Sequence, residues 1–276
     1  CLPKTAWPPT SIGDFKSNKE KIVRCIEQAK SESADLVVFS EQAISGAPAY
    51  DLLNKVTFLE LCEETLEEIA RCCEGISVLV GMPAQCMNKT ISVAALIEDR
   101  KIKRYVGKKT IESRDEMCHI SSSKGCEYIK IRGKKIAVVV GEDIKTEQEY
   151  GEYADLIVNL AHSPYSRGVV EKRYDFYRQM AFMTGKTILY VNSVGGQTDI
   201  VYDGSSAAFN SVHFTDKCVV TNNGANGSLH FMGGVLAASG TANAALVTTL
   251  PYSITVDGGD FCMFSAGTYR SSVTAP

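Results

Sequence analysis

The stretch Lys135-Ile136-Ala137-Val138-Val139-Val140-Gly141-Glu142-Asp143-Ile144 constrains this chain more than any other. Its unbroken apolar run, set between a basic pair and an acidic pair, predicts a strand buried on both faces. Such a strand belongs inside an α/β architecture, with further layers covering its sheet. It stops at a glycine followed by two carboxylates. In open α/β sheets chemistry collects at strand ends, because the turn lifts side chains out of the sheet while the strand fixes their position. Taken alone, the stretch reads first as an ordinary core strand with a solvated acidic turn. Two other strand ends, at Glu41 and near Lys108, favour the functional reading.

The rest of the chain alternates helix and strand patterns. After a Pro/Gly-rich start (residues 1–16), Ser17 or Asn18 is expected to cap a helix to about Ser31, with Ile22, Cys25, Ile26 and Ala29 on one face. Ala34–Phe39 reads as a buried strand ending in Ser40-Glu41-Gln42, and Val56–Cys73 as a second amphipathic helix. Strands are expected at Ser77–Gly81, Ile91–Ile97 and Lys101–Val106, followed by a polar loop, Lys108–Lys124, long enough to suggest a function. A short helix near Glu147–Tyr153, a strand from Ala154, a helix Val169–Thr184, a strand Thr187–Asn192 and a turn at Gly195-Gly196-Gln197 complete the first part. Ala154-Asp155-Leu156-Ile157-Val158 echoes Ala34-Asp35-Leu36-Val37-Val38, which suggests two related α-β units. Near residue 211 the composition shifts to Gly, Ser, Thr, Asn and Ala, with hairpin signals at Asn222-Asn223-Gly224 and Asp257-Gly258-Gly259. The expected organisation is a first domain over 1–210 and a β-rich continuation or small β module over 211–276.

Composition narrows the function. A formal net charge of −3 and the lack of a basic stripe with interleaved aromatics argue against nucleic-acid binding. No run of about eighteen apolar residues exists, so no membrane span is expected. The ten cysteines are scattered, several at helical core positions, and no Cys-x-x-Cys occurs. A reduced, cytoplasmic setting is therefore expected, without zinc or redox motifs. His119, His162, His213 and His230 lack metal-ligand spacing and read as structural, so no metal or cofactor is expected.

The candidate chemistry sits at strand ends. Glu41, held partly out of water, suits a general base or acid. Lys108, in a Lys108-Lys109 pair, could stabilise a developing oxyanion. Asp115-Glu116 and Glu142-Asp143 are acidic turns, and each of these groups is also an ordinary surface residue when read singly.

In order, these elements resemble the nitrilase superfamily of carbon–nitrogen hydrolases. Gly13-Asp14-Phe15, Asn18 and Ala34-Asp35-Leu36-Val37-Val38-Phe39-Ser40-Glu41 are similar to the family's opening block. Gly46, Pro48, Asp51-Leu52-Leu53, Ser163-Pro164-Tyr165, Gly168, Arg173, Tyr190–Gln197 and Val201–Ser206 resemble the glutaminase domain of glutamine-dependent NAD synthetases. The resemblance runs from about residue 11 to 210. It implies an αββα sandwich and a Glu-Lys-Cys triad, with Glu41 as base, Lys108 on the oxyanion, Glu116 as accessory carboxylate and the Glu142 backbone N–H as oxyanion donor. Ser163, Tyr165 and Arg173 are the implied substrate-binding residues. A glutamine-like small amide is the implied substrate, a synthetase domain or subunit the implied receiver of ammonia, and a homo-oligomer the implied assembly.

The departure from the family pattern falls on the nucleophile: Cys-Glu-Asp is expected where this chain has Gly141-Glu142-Asp143. A covalent mechanism needs that nucleophile, so activity is expected to be impaired or lost. About three residues are also missing between Lys108 and Glu116 relative to the family. Cys118 or Cys126 could replace the thiol only by reaching within about 3–3.5 Å of the substrate carbon. Two alternatives stay open: a non-catalytic scaffold on the same fold, and an N-terminal-nucleophile hydrolase using Cys1.

Overall fold

The β-branched run after Asp35 forms a short inner strand, β1 (Leu36–Val38), with Asp35 itself exposed. In the computed structural model, which describes residues 9–145 and 153–209 and four short strands beyond them, β1 opens a first sheet of four strands. It pairs in parallel with β2 (Ser77–Cys86), which continues antiparallel into β3 (Lys89–Glu98) and β4 (Lys101–Gly107). Helices α1 (Phe15–Ser31) and α2 (Val56–Ala70) cover the outer face of this sheet. Their stripes Ile22, Ile26 and Leu59, Cys62, Leu66, Ile69 pack onto Val37, Val78, Val80 and Val93. The α1 cap differs from expectation. Asp14 accepts from the Ser17 amide at 3.1 Å, while Asn18 is fully buried and ties Ser11 to the Ile44 carbonyl. The expected loop 108–124 contains a one-turn helix, α3 (Arg114–Met117), capped by Ser113.

The second sheet has the order β11-β8-β7-β6-β5. Its edge strand β5 (Glu127–Ile131) was not foreseen from the sequence, although Ile129 and Ile131 alternate inward. The run that constrains the chain is β6 (Lys134–Val140), flanked on one side by β5 and on the other by β7 (Leu156–Ala161) and then β8 (Thr187–Asn192), both parallel to β6. Helix α4 (Val169–Thr184) packs Tyr177 and Ala181 against the outer face, onto Ala137, Val139 and Tyr190. The expected turn at Gly195-Gly196-Gln197 is instead strand β9 (Val194–Gln197), in a hairpin with β10 (Ile200–Asp203) that reverses at Thr198-Asp199. Strand β11 (Ala207–Phe209) closes the sheet on β8.

Between the two sheets lies a core of Val38, Leu79, Ala94, Leu96 and Val106 from the first and Val138, Val140, Val158, Leu160 and Val191 from the second. The layering is therefore helix, sheet, sheet, helix, which is why β6 and β7 are apolar on both faces. Beyond the sandwich, Ser211–Phe214 pairs in parallel with Val235–Ala238, and Leu229–Met232 with Ile254–Asp257. Cys1, most of the expected helix 147–153 and both glycine-rich hairpin signals lie outside the described residues, Asp257 and Tyr153 excepted. No helix among the described residues is long and apolar enough to cross a membrane.

Candidate active site

Parallel strands deliver their C-terminal ends to one edge of a sheet. Here Val140 of β6 is level with Leu160 of β7, and Ala161 with Asn192 of β8, so Gly141, His162 and Ser193 leave the second sheet side by side. In the first sheet β1 and β4 run the same way, and they deliver Glu41 and Lys108 to the facing edge. The two edges are laced together: the Glu41 amide donates to the Ala161 carbonyl at 3.2 Å and Ser193 Oγ to Ser40 Oγ at 3.1 Å. Gly81 in β2 lets the chain after β1 lie close against it, because a Cβ there would be 2.4 Å from the Ser40 carbonyl oxygen and 2.6 Å from Glu41 Cα.

Glu41 and Lys108 are buried completely, at 1% and 0% exposure, which settles against their being surface groups. Lys108 Nζ lies 3.2 Å from Glu41 Oε1, 3.0 Å from both oxygens of Glu116 and 2.7 Å from Glu142 Oε2. Ser92 Oγ, within β3, donates to Glu41 Oε1 at 2.8 Å. His162 Nδ1 is 2.7 Å from Glu41 Oε2, and its Nε2 is 3.9 Å from Glu116 Oε1. Burial alone would push the Glu41 pKa up, but the His162 and Lys108 charges overcome it and hold the carboxyl well below its usual range. Burial opposes the charged form of Lys108 too, yet three carboxylates raise its pKa. Burial and the Glu41 charge raise that of Glu116.

Gly141 sits at the centre of this cluster. Its φ of +55° is left-handed backbone, and a Cβ built on it would fall 2.7 Å from Lys108 Cε and 2.8 Å from Glu41 Oε2. Neighbours fix that bend. Asn159, fully buried in β7, donates to the Gly141 carbonyl at 3.0 Å and accepts from Tyr177 Oη at 2.5 Å. Asp143 accepts from the backbone amides of Lys109 and Thr110, pinning the loop after β4 to the turn after β6. Burial nonetheless raises the Asp143 pKa.

The structure thus brings together Glu41, Lys108, Glu116, Gly141 and Glu142, the last by a side-chain contact to Lys108 where a backbone N–H was expected. His162 and Ser92 join them unforeseen. The echo between residues 34–38 and 154–158 was the available signal for His162, since the echoing strands β1 and β7, one in each sheet, lead to Glu41 and His162 respectively. Ser163 and Tyr165 follow on the same exit: the Ser163 backbone is held by the Asn192 side chain and the Tyr165 amide by the Val201 carbonyl, with the Tyr165 ring half exposed. Arg173 is occupied elsewhere than expected. Its Nη1 donates to both oxygens of Asp203 at 2.9 and 3.0 Å, and its Nη2 to the Pro164 carbonyl at 3.1 Å, so it braces the loop that carries Ser163 and Tyr165. Cys118 is exposed at the end of α3, and Cys126 packs on the α4 side of the second sheet. Glu41, Glu116 and His162 bring three possible metal-ligating atoms within 4.8 Å of one another, but the Lys108 ammonium already supplies the cation between the two carboxylates.

No protein-family model matches the chain. Over 206 residues, 71% of its length, it is 32% identical to a glutamine-dependent NAD(+) synthetase of Xylella fastidiosa, of which it covers 38%. Among solved structures it is similar to the glutamine-dependent NAD+ synthetase of Acinetobacter baumannii, with a TM-score of 0.69 and 26% identity over 74% of this chain and 40% of that one. A mutant of the Nesterenkonia AN1 amidase from the nitrilase superfamily shares the fold, with a TM-score of 0.65 at 17% identity, over 76% of this chain and 85% of that one. The chain spans about two fifths of the synthetases it matches. It has the nitrilase-superfamily fold, and over that fold it is related to part of the glutamine-dependent NAD(+) synthetases.

Proposed function

We propose that the cleft at Glu41, Lys108 and Gly141 is a glutamine-amide site of the carbon–nitrogen hydrolase type, impaired in this chain because position 141 carries no thiol. The observation that carries this is geometric. The residue-141 side-chain direction points directly at a fully buried Glu41 carboxylate oxygen and a fully buried Lys108 ammonium. That is where a nucleophile needs its base and its oxyanion partner.

With a cysteine at 141, the thiol proton would pass to Glu41 as sulfur bonds to the amide carbon. The same proton would then leave with the amide nitrogen as the C–N bond breaks, giving ammonia and a thioester. Water would cleave the thioester to glutamate and regenerate the thiol. Lys108 and the Glu142 backbone N–H would face the tetrahedral oxyanion, while Glu116 orients Lys108. Ser163 and Tyr165 would border the amide, and Arg173 would act through the loop it braces. The names of the relatives support glutamine as substrate and a synthetase domain or subunit as receiver of the ammonia.

The test is glutamine binding to the unmodified chain by calorimetry, together with ammonia release by Gly141→Cys at alkaline pH. Absence of both refutes the reading. It would favour a second one, a scaffold on the same fold, for which the closure of Lys108 and Glu41 into the side-chain space at 141 speaks.

A further inference from the structure

We infer that His162 withholds Glu41 from acting as a base, so that the imidazole, and not the glycine at 141 alone, decides whether this site can cleave an amide. The inference rests on the hydrolase reading above and concerns a residue outside the implied Glu-Lys-Cys set.

A base must offer a free lone pair to the proton it takes, at about 2.6–3.2 Å. One of the two Glu41 oxygens faces the nucleophile position. Oε1 is held by Ser92 Oγ at 2.8 Å and Lys108 Nζ at 3.2 Å. Oε2 is the oxygen that faces residue 141, only 2.8 Å from where a Cβ would stand. His162 Nδ1 already lies 2.7 Å from that same oxygen. A protonated imidazole accepts at neither nitrogen, and its positive charge beside Oε2 lowers the basicity that a thiol at 141 would need there.

The surroundings favour the charged ring. Its far nitrogen looks toward Glu116 Oε1 at 3.9 Å, the Tyr202 ring centre lies 6.2 Å away, and the Lys108 cation that opposes its charge is itself held among Glu41, Glu116 and Glu142. Burial works against the imidazolium, but the Glu41 carboxylate outweighs it and raises the His162 pKa above its ordinary value. The pair cannot drift apart easily, because the Glu41 amide is bonded to the carbonyl of Ala161, the residue before the histidine.

The experiment compares Gly141→Cys with Gly141→Cys/His162→Ala in glutamine-dependent ammonia release across pH. Expected is a Gly141→Cys rate that climbs with pH as the imidazolium loses its proton. At neutral pH the double variant should be at least about tenfold faster and lack that limb, since a positioned base contributes about 10²–10⁴-fold. Equal rates and profiles in the two variants overturn the inference. Histidine NMR of the unmodified chain gives a readout independent of turnover: His162 should titrate above its ordinary value and fall when Glu41→Gln is introduced. A titration indifferent to Glu41 also overturns it. If both cysteine variants are inert and glutamine does not bind, while the titration remains linked to Glu41, the hydrolase reading has failed rather than the ion pair, and the inference falls with that reading.

Discussion

Replacing Lys108 by Met removes the one ammonium lying among three carboxylates. At an effective dielectric constant near 20, each unit pair about 3 Å apart is worth about 5 kcal/mol before desolvation. Burying each ion costs several kcal/mol in return, and breaking a buried pair by removing one partner costs about 3–5 kcal/mol. The same range is expected for Lys108→Met, because Glu41 and Lys108 have no solvent to turn to. Urea unfolding at neutral pH should show it as a lower midpoint at constant slope.

The pH dependence supplies the sharper check. In the unmodified chain the Glu41 pKa is depressed, so its contribution is present above the ordinary value of 4.5 and is lost as pH falls through the folded-state value. Without Lys108, Glu41 keeps the His162 charge, but Glu116, whose pKa burial already raises, loses the cation that held it down. The folded state then binds protons more tightly than the unfolded chain, and stability recovers on acidification. Adding Glu41→Gln to Lys108→Met should restore part of the loss at neutral pH. A loss below about 1 kcal/mol, or no recovery toward acid, would show that the cluster is solvated and refute the reasoning.

Two further substitutions test the supports of the site. Arg173→Ala should cost about 3–5 kcal/mol by stranding Asp203, and Arg173→Lys should not restore the melting temperature, because an ammonium cannot hold Asp203 and the Pro164 carbonyl as the planar fork does. Tyr177→Phe should cost about 1–3 kcal/mol by leaving the buried Asn159 Oδ1 unpaired, measured by chemical unfolding; a neutral result would mean that the bend at Gly141 does not depend on this chain of bonds.

The individual elements were legible because the inner strands are apolar on both faces and the outer helices on one, while their stacking as a sandwich was implied by the resemblance to the nitrilase superfamily. The strand-end positions of Glu41, Lys108 and Gly141 followed from where those runs stop. Two parts were not legible. His162 looked like a lone core histidine because what gives it a role is the lacing of β1 to β7, a contact across more than a hundred residues of chain. Arg173 looked like a ligand-binding residue because the pattern carries its type but not its partner, and Asp203 reaches it only after the β9–β10 hairpin has turned. β5 was hidden for a local reason: Glu127-Tyr128-Ile129-Lys130-Ile131 is short, half polar, and follows a long loop.

The left-handed bend at position 141 is bonded at its carbonyl by Asn159, two residues before the Asp143 that holds the loop after β4. Any side chain placed there would be held in a conformation costing about 1–2 kcal/mol, and would also have to push back the Lys108 and Glu41 tips. Glycine escapes both penalties. Durability and reactivity therefore pull this position in opposite directions: the chain as it stands keeps the sturdier arrangement, and any variant that regains a nucleophile must carry the burden of holding it there.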